Sequence, residues 1–150
     1  MEARMKNPAT IIPAALKPIQ ELMKAAHSQG LPQELMEMIH LRVSQINGCS
    51  FCVDAGLKGL RKLGASDERI GLVAAWRETP YYTDAERAAL ALAEAATRLA
   101  DRTDAVPDDV WNDAADHFDE RQLASILLMT AVTNLFNRLN APIRQVAGAW

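Results

Sequence analysis

The chain has 150 residues, of which 49% are apolar and 23% are charged, and its net charge is −3. These values predict one globular domain with a real core, and they exclude a disordered chain and a basic surface that binds nucleic acid. There is no run of 18 apolar residues, and the first residues do not predict a secretory signal. A cytoplasmic protein without a membrane span is therefore expected.

Helix-forming residues dominate the sequence, and sustained alternation of apolar and polar residues is absent. Gly, Pro and capping residues divide the chain into seven predicted helices. In chain order the predicted helices cover residues 14–29, 32–46, 49–63, 66–76, 83–100, 107–118 and 119–139. Thr83 and Glu86 have the spacing of a capping box, and Asp119 caps the last long helix. The predicted fold class is all-α, a single-domain helical bundle over residues 1–150.

The last predicted helix is apolar over more than one narrow stripe. Its apolar residues are Leu123, Ile126, Leu127, Met129, Val132, Leu135, Phe136 and Leu139. A helix with this pattern lies either at the centre of the bundle or at a subunit interface. Both alternatives remain open from the sequence.

The chain has two cysteines, Cys49 and Cys52. In a reducing compartment a pair with this spacing is more often catalytic, redox-active or metal-binding than a structural crosslink. Asn47 and Gly48 place the pair in the first turn of a helix, where free backbone N–H groups and the helix dipole favour a thiolate. A thiolate is a nucleophile, so the pair predicts thiol–disulfide redox chemistry.

Other roles for the cysteines fit the sequence less well. A zinc site needs four ligands, but there is no second cysteine pair, and the histidines are scattered at His27, His40 and His117. Haem attachment needs a histidine where Val53 stands, and a thioredoxin-like motif needs a βαβ context. Two buried cysteines that act only as small apolar residues remain an alternative.

Glu37 and His40 are the candidate acid and base near the cysteines. They share one face of the preceding helix with Leu41 and Ser44, at i, i+3, i+4 and i+7. Apolar neighbours at positions 35, 36, 38 and 39 would desolvate the Glu37 carboxylate in part and suit it to proton transfer. The alternative is that both side chains are simply solvated.

Several segments form a recognisable combination when they are taken together. They are Glu37, the run from Arg42 to Cys52, Ala75–Pro80, Glu86–Leu90, His117–Phe118 and Asn137–Asn140. This combination resembles the alkylhydroperoxidase D-like (AhpD-like) group of the carboxymuconolactone decarboxylase superfamily. The resemblance covers about residues 31–147. It is specific to the superfamily and less so to any one reaction.

The resemblance implies an all-helical fold assembled into homotrimers or homohexamers, and a hydroperoxide reductase that needs no cofactor or metal. The second cysteine, here Cys52, attacks the peroxide and becomes a sulfenic acid, and the first, here Cys49, condenses with it to a disulfide. An external thiol then reduces this disulfide. The matching glutamate, Glu37, belongs to the proton relay that activates the thiol.

One position departs from the family pattern. Members usually carry a histidine four residues after the second cysteine, and Gly56 stands there in this chain. We expect Gly56 to leave space one turn beyond Cys52, and His40, one turn from Glu37, is the candidate replacement base. The alternative functions are thiol–disulfide exchange or redox sensing with little peroxidase turnover, a lactone decarboxylase, and a non-catalytic oligomeric scaffold.

Overall fold

Helices form all the regular secondary structure of residues 1–149, which the computed structural model describes. The α-helices are α1 (Pro8–Ile11), α2 (Pro13–Ala26), α3 (Gln33–Ile46), α4 (Ser50–Lys62), α5 (Asp67–Gly71), α6 (Asp84–Thr97), α7 (Asp108–His117) and α8 (Glu120–Asn140). Two 3₁₀ helices, Val73–Glu78 and Leu99–Asp101, follow α5 and α6. The all-α fold class predicted from the sequence is confirmed.

The predicted helices match α2 to α8, and the differences have local causes. The short helix α1 was not predicted; the Asn7 side chain caps it and Pro8 begins it. The helix predicted over residues 66–76 ends instead at Gly71, and a 3₁₀ helix follows. Val73 and Trp76 of this segment are both buried in the core, although the backbone between them departs from helical dihedral angles at Ala75.

Helices α3 and α8 cross the middle of the domain. Helix α3 contacts α4, α6 and α8, and α8 also contacts α2 and α6. One side of α8 is buried, with Ile126 and Val132 almost fully enclosed, whereas Leu128 is 38% exposed. The last helix is therefore a central core helix that also has an apolar outer side. Within residues 1–149, no helix has both the length and the apolar character that crossing a bilayer requires.

Ion pairs to the buried carboxylate of Glu94 connect α3, α6 and the first 3₁₀ helix. Glu94 is 7% exposed and accepts hydrogen bonds from Trp76 Nε1 at 3.0 Å and Arg77 at 2.6 Å. Its carboxylate also pairs with Arg42 on α3. Burial by itself raises the pKa of Glu94, but the hydrogen bonds from Trp76 and the two arginines outweigh it, so this pKa lies below the ordinary value.

Candidate active site

The two cysteines form a disulfide at the N-terminus of α4, with their Cα atoms 5.3 Å apart. Cys49 is the N-cap residue, and its Sγ accepts a hydrogen bond from the backbone N–H of Cys52 at 3.3 Å. Gly48, with a φ of +67°, allows the tight turn from α3 into α4. Cysteine sulfur thus occupies the anion-favouring end of a helix, which stabilises a thiolate once the disulfide is reduced.

A partly buried asparagine network fixes the turn that precedes the cysteines. Asn47 Nδ2 donates to Asn137 Oδ1 at 2.8 Å and to Asn134 Oδ1 at 3.0 Å. Asn137 in turn donates to Ser44 Oγ at 3.1 Å. Because Asn134 and Asn137 belong to α8, these bonds hold the end of α3 against the central helix.

The third asparagine of this face of α8 reaches the cysteine pair itself. Asn140 Nδ2 donates to Cys52 Sγ at 3.4 Å, and both residues are buried. The sequence reasoning assigned Asn140 no role, although the segment from Asn137 to Asn140 carried part of the family resemblance. Polar residues at 134, 137 and 140, spaced three apart in an apolar helix, were the signal that could have found it.

A cavity of about 260 Å³ borders the disulfide on the side of Cys49. It is lined by Met1, Gly48, Cys49, Ser50, Asn140, Ala141, Arg144 and Gln145. Arg144 has a φ of 54° and is the one charged side chain among the described residues of this lining. The cavity therefore offers a polar, cationic approach to Cys49.

Glu37 and His40 form a pair with each other. Glu37 Oε2 lies 3.3 Å from His40 Nδ1, and both side chains are partly buried. The Glu37 carboxylate packs against Gly59 of α4, beside a separate cavity of about 380 Å³. Gly59 is seven residues beyond Cys52, which corresponds to about 10 Å along the helix. Among the described residues, no hydrogen bond joins this pair to either sulfur.

Gly56 has no open space beside it, so that expectation was wrong. A Cβ atom added at Gly56 would lie 3.2 Å from Leu41 Cβ and 3.3 Å from Leu41 Cα. Helices α3 and α4 approach each other closely at this point, and Leu41 fills the volume that a relay histidine would need. The absence of that histidine is therefore built into the packing of the two helices.

The remaining histidines lie away from the cysteines. His27 lines the cavity beside Glu37, and the His117 ring packs edge-on against Phe118. In the part of the chain that the structure describes, no three His, Cys, Asp or Glu side chains are grouped so that they could hold a metal ion.

Comparison with known proteins identifies relatives that share this architecture. Residues 13–95 match the family model of the carboxymuconolactone decarboxylase family. The uncharacterized protein YdfG of Bacillus subtilis is 33% identical over 130 residues, which are 87% of each chain.

Solved structures give the same result for the fold. The Agrobacterium tumefaciens protein ATU0492, described as a protein of unknown function and a candidate AhpD antioxidant-defence protein, superposes with a TM-score of 0.90. It is 35% identical over 99% of this chain and 100% of its own. The debrominase Bmp8 has a TM-score of 0.80 at 20% identity, over 93% of this chain and 74% of its own. The chain belongs to the carboxymuconolactone decarboxylase family and has the AhpD-like fold.

Proposed function

We propose that the protein is a thiol-dependent hydroperoxide reductase with an antioxidant role. The observation that carries the proposal is the Cys49–Cys52 disulfide, which lies at a helix N-terminus and borders a cavity in an AhpD-like fold. Two sulfurs that close and reopen a disulfide can take up the two oxidising equivalents of one peroxide.

In the first half of the cycle, the Cys52 thiolate attacks one oxygen of the hydroperoxide. The O–O bond breaks, Cys52 becomes a sulfenic acid, and the departing alkoxide takes a proton to leave as an alcohol. The Cys49 thiolate then attacks the Cys52 sulfur and displaces hydroxide, which leaves as water after protonation. The product is the disulfide, and an external dithiol reduces it and becomes a disulfide itself.

We assign proton transfer in this cycle to Glu37 and His40. Their 3.3 Å contact supports the assignment, because a carboxylate on Nδ1 orients the imidazole. The distance along α4 between Gly59 and Cys52 means that the proton reaches the sulfur through an intermediate carrier such as water. Glu37→Gln and His40→Asn should each lower the peroxide rate and shift its pH profile.

We also propose that the protein works in the cytoplasm as a homotrimer or homohexamer. Support for self-association comes from a largely apolar depression of about 840 Å³ between α6 and α8. Leu99, which is 55% exposed, and the half-buried Leu135 and Leu139 line it. A reducing compartment is consistent with a disulfide that must be reopened in every cycle.

A second candidate is thiol–disulfide exchange or redox sensing with little peroxidase turnover. The packing of Gly56 against Leu41 favours it, because this packing removes the histidine through which family members complete the relay. The same cysteine pair would then respond to oxidation without fast catalysis.

One experiment separates the two candidates. The reduced protein is mixed with hydrogen peroxide or cumene hydroperoxide, and free thiols are counted while turnover is followed with a dithiol reductant. Loss of two thiols with repeated turnover supports the reductase, whereas loss of two thiols without turnover supports the sensor. Thiols that stay inert overturn both. Cys49→Ser and Cys52→Ser serve as controls, because neither variant can form the disulfide.

A further inference from the structure

A chain of three hydrogen bonds connects the backbone of α1 to the sulfur of Cys52. The Ala9 backbone N–H donates to Asn7 Oδ1 at 2.8 Å. Asn7 Nδ2 donates to Asn140 Oδ1 at 2.7 Å, and Asn140 Nδ2 donates to Cys52 Sγ at 3.4 Å. One hydrogen-bond chain thus links the N-terminal segment, through the end of α8, to a sulfur at the start of α4.

The direction of each bond in this chain follows from its first member. A backbone N–H can only donate, so the amide oxygen of Asn7 must face Ala9. The NH₂ group of Asn7 is then directed at Asn140, which can accept it only with its own oxygen. The remaining end of the Asn140 amide, its NH₂ group, must therefore face Cys52.

Burial increases the effect of this donor on the sulfur. Asn140 is 4% exposed and Cys52 is 2% exposed, so water competes little for the contact. A hydrogen bond donated to a thiolate favours the ionised form and lowers the pKa of the thiol. It also stabilises Cys52 as the leaving thiolate when the disulfide opens.

Titratable and charged groups are carried by the elements packed around this position. They include Cys49 and Asp54 on α4, Glu37 and His40 on α3, Arg144 after α8, and the Met1 N-terminus, which lines the same cavity as Asn140. Asp54 accepts hydrogen bonds from Lys58 and from the backbone N–H of Gly148. Glu37 and His40 contact each other, and Arg144 lines the cavity beside Cys49.

We propose that Asn140 is a catalytic residue that stabilises the Cys52 thiolate, and that Asn7 is a positioning residue that fixes the direction of the Asn140 amide. The proposal deepens the proposed function, since it takes Cys52 as the reacting sulfur. When an external thiolate attacks Cys49, a new S–S bond forms and the Cys49–Cys52 bond breaks. Its electron pair passes to Cys52, whose sulfur is held by the amide NH₂ group. A second thiol of the reductant then releases Cys49.

The test measures the pKa of the Cys52 thiol by the ultraviolet absorbance of its thiolate across pH. Cys49→Ser is the common background, because it leaves one thiol and Ser keeps the N-cap of α4. Asn140→Leu removes the donor, and Asn140→Asp turns the same shape into an acceptor. We expect the pKa to rise by about one unit in the first variant and further in the second, so that about tenfold less thiolate remains below the pKa.

Asn134→Asp is the matched control for the charge. It places a carboxylate on the same face of α8, about 9 Å from position 140. We expect it to leave the Cys52 pKa near that of the background protein. A rise as large as that of Asn140→Asp would show that charge alone acts, and it would overturn the proposal.

Variants of Asn7 test the direction of the Asn140 amide without changing any residue of α8. Asn7→Asp still caps α1, but it replaces the donor to Asn140 with an acceptor, so the Asn140 amide turns over and directs its oxygen at Cys52. Asn7→Ser keeps the cap and carries no charge. We expect a clear rise of the Cys52 pKa in Asn7→Asp and a smaller rise in Asn7→Ser, with both proteins folded by circular dichroism.

The outcomes distinguish this inference from the proposed function. Unchanged Cys52 pKa values in the Asn140 and Asn7 variants overturn the inference, whatever the peroxide rate of the native protein. Raised pKa values in a native protein that reduces no peroxide support the inference and count against the reductase. If the Asn140 variants do not fold, the Asn7 pair decides alone.

Discussion

Gly56 of α4 lies directly against Leu41 of α3, where an added Cβ atom would be 3.2 Å from Leu41 Cβ. Helix propensity favours Ala over Gly by about 1 kcal/mol, whereas overpacking a tight contact costs about 1–3 kcal/mol. The cost of overpacking exceeds the gain in helix propensity here, because Leu41 is fully buried and its Cα and Cβ atoms cannot rotate away. We expect Gly56→Ala to lower the free energy of unfolding by about 1 kcal/mol, or the Tm by about 2–4 °C. Gly56→His should cost more and should not accelerate peroxide reduction.

Gly71 provides the matched control for this substitution. It is exposed at the end of α5, and a Cβ atom there would meet no atom within 4 Å. Thermal unfolding of Gly71→Ala should show an unchanged or slightly higher Tm. A Tm for Gly56→Ala that equals or exceeds that of Gly71→Ala contradicts the packing argument.

Because the pKa of Glu94 is low, the free energy of unfolding should depend on pH in the acid range. Burial opposes ionisation, but the hydrogen bonds from Trp76, Arg77 and Arg42 outweigh it. Because this pKa is lower in the folded chain, the stabilisation is complete above the unfolded value of about 4.3 and is lost as the pH falls through the folded value. Denaturant unfolding should show a drop in free energy as the pH falls below about 4.5.

Glu94→Gln should remove much of this dependence. At pH 7 it leaves Arg42 and Arg77 without their carboxylate, and we expect a loss of about 2 kcal/mol that shrinks in acid. Glu78→Gln alters an exposed carboxylate at the end of the 3₁₀ helix that carries Arg77. It should change the free energy of unfolding by less than about 0.5 kcal/mol. If the stability of Glu94→Gln depended on pH as that of the native protein does, this would falsify the assignment of the acid sensitivity to Glu94.

The helices and the cysteine turn could be predicted because their signals are local. The capping box at Thr83 and the break at Gly48 lie within a few residues of the structure that they specify. The fit of Gly56 against Leu41 and the contact of Asn140 with Cys52 depend on how separate helices cross. The spacing of the asparagines marks a polar face of α8, but neither the sulfur that Asn140 contacts nor the helix that closes the space beside Gly56 follows from a pattern within a single helix.

Self-association through the apolar depression between α6 and α8 can be tested at its rim. Leu99 is 55% exposed and lines the depression, and a glutamate there would place a charge in a buried interface. Ile12, which is 59% exposed and lies at the start of α2, is the control for an exposed apolar residue. Sedimentation should show a smaller assembly for Leu99→Glu and an unchanged one for Ile12→Glu. If both variants sediment like the native protein, the predicted interface is contradicted.

Cys49 should be the sulfur that meets the external thiol reductant, because it lines the cavity that contains Arg144. With single-cysteine proteins, a neutral thiosulfonate should modify Cys49 in Cys52→Ser faster than it modifies Cys52 in Cys49→Ser. An anionic aromatic disulfide should react with Cys49 faster still, since the guanidinium attracts it, and Arg144→Ala should remove that advantage while leaving the neutral reagent unaffected. Faster modification of Cys52 would reverse the assignment. Cys49 lines the cavity whereas Cys52 lies behind Asn140, and the Asn140 amide stabilises Cys52 as the leaving thiolate, so access and leaving-group stability together favour attack at Cys49.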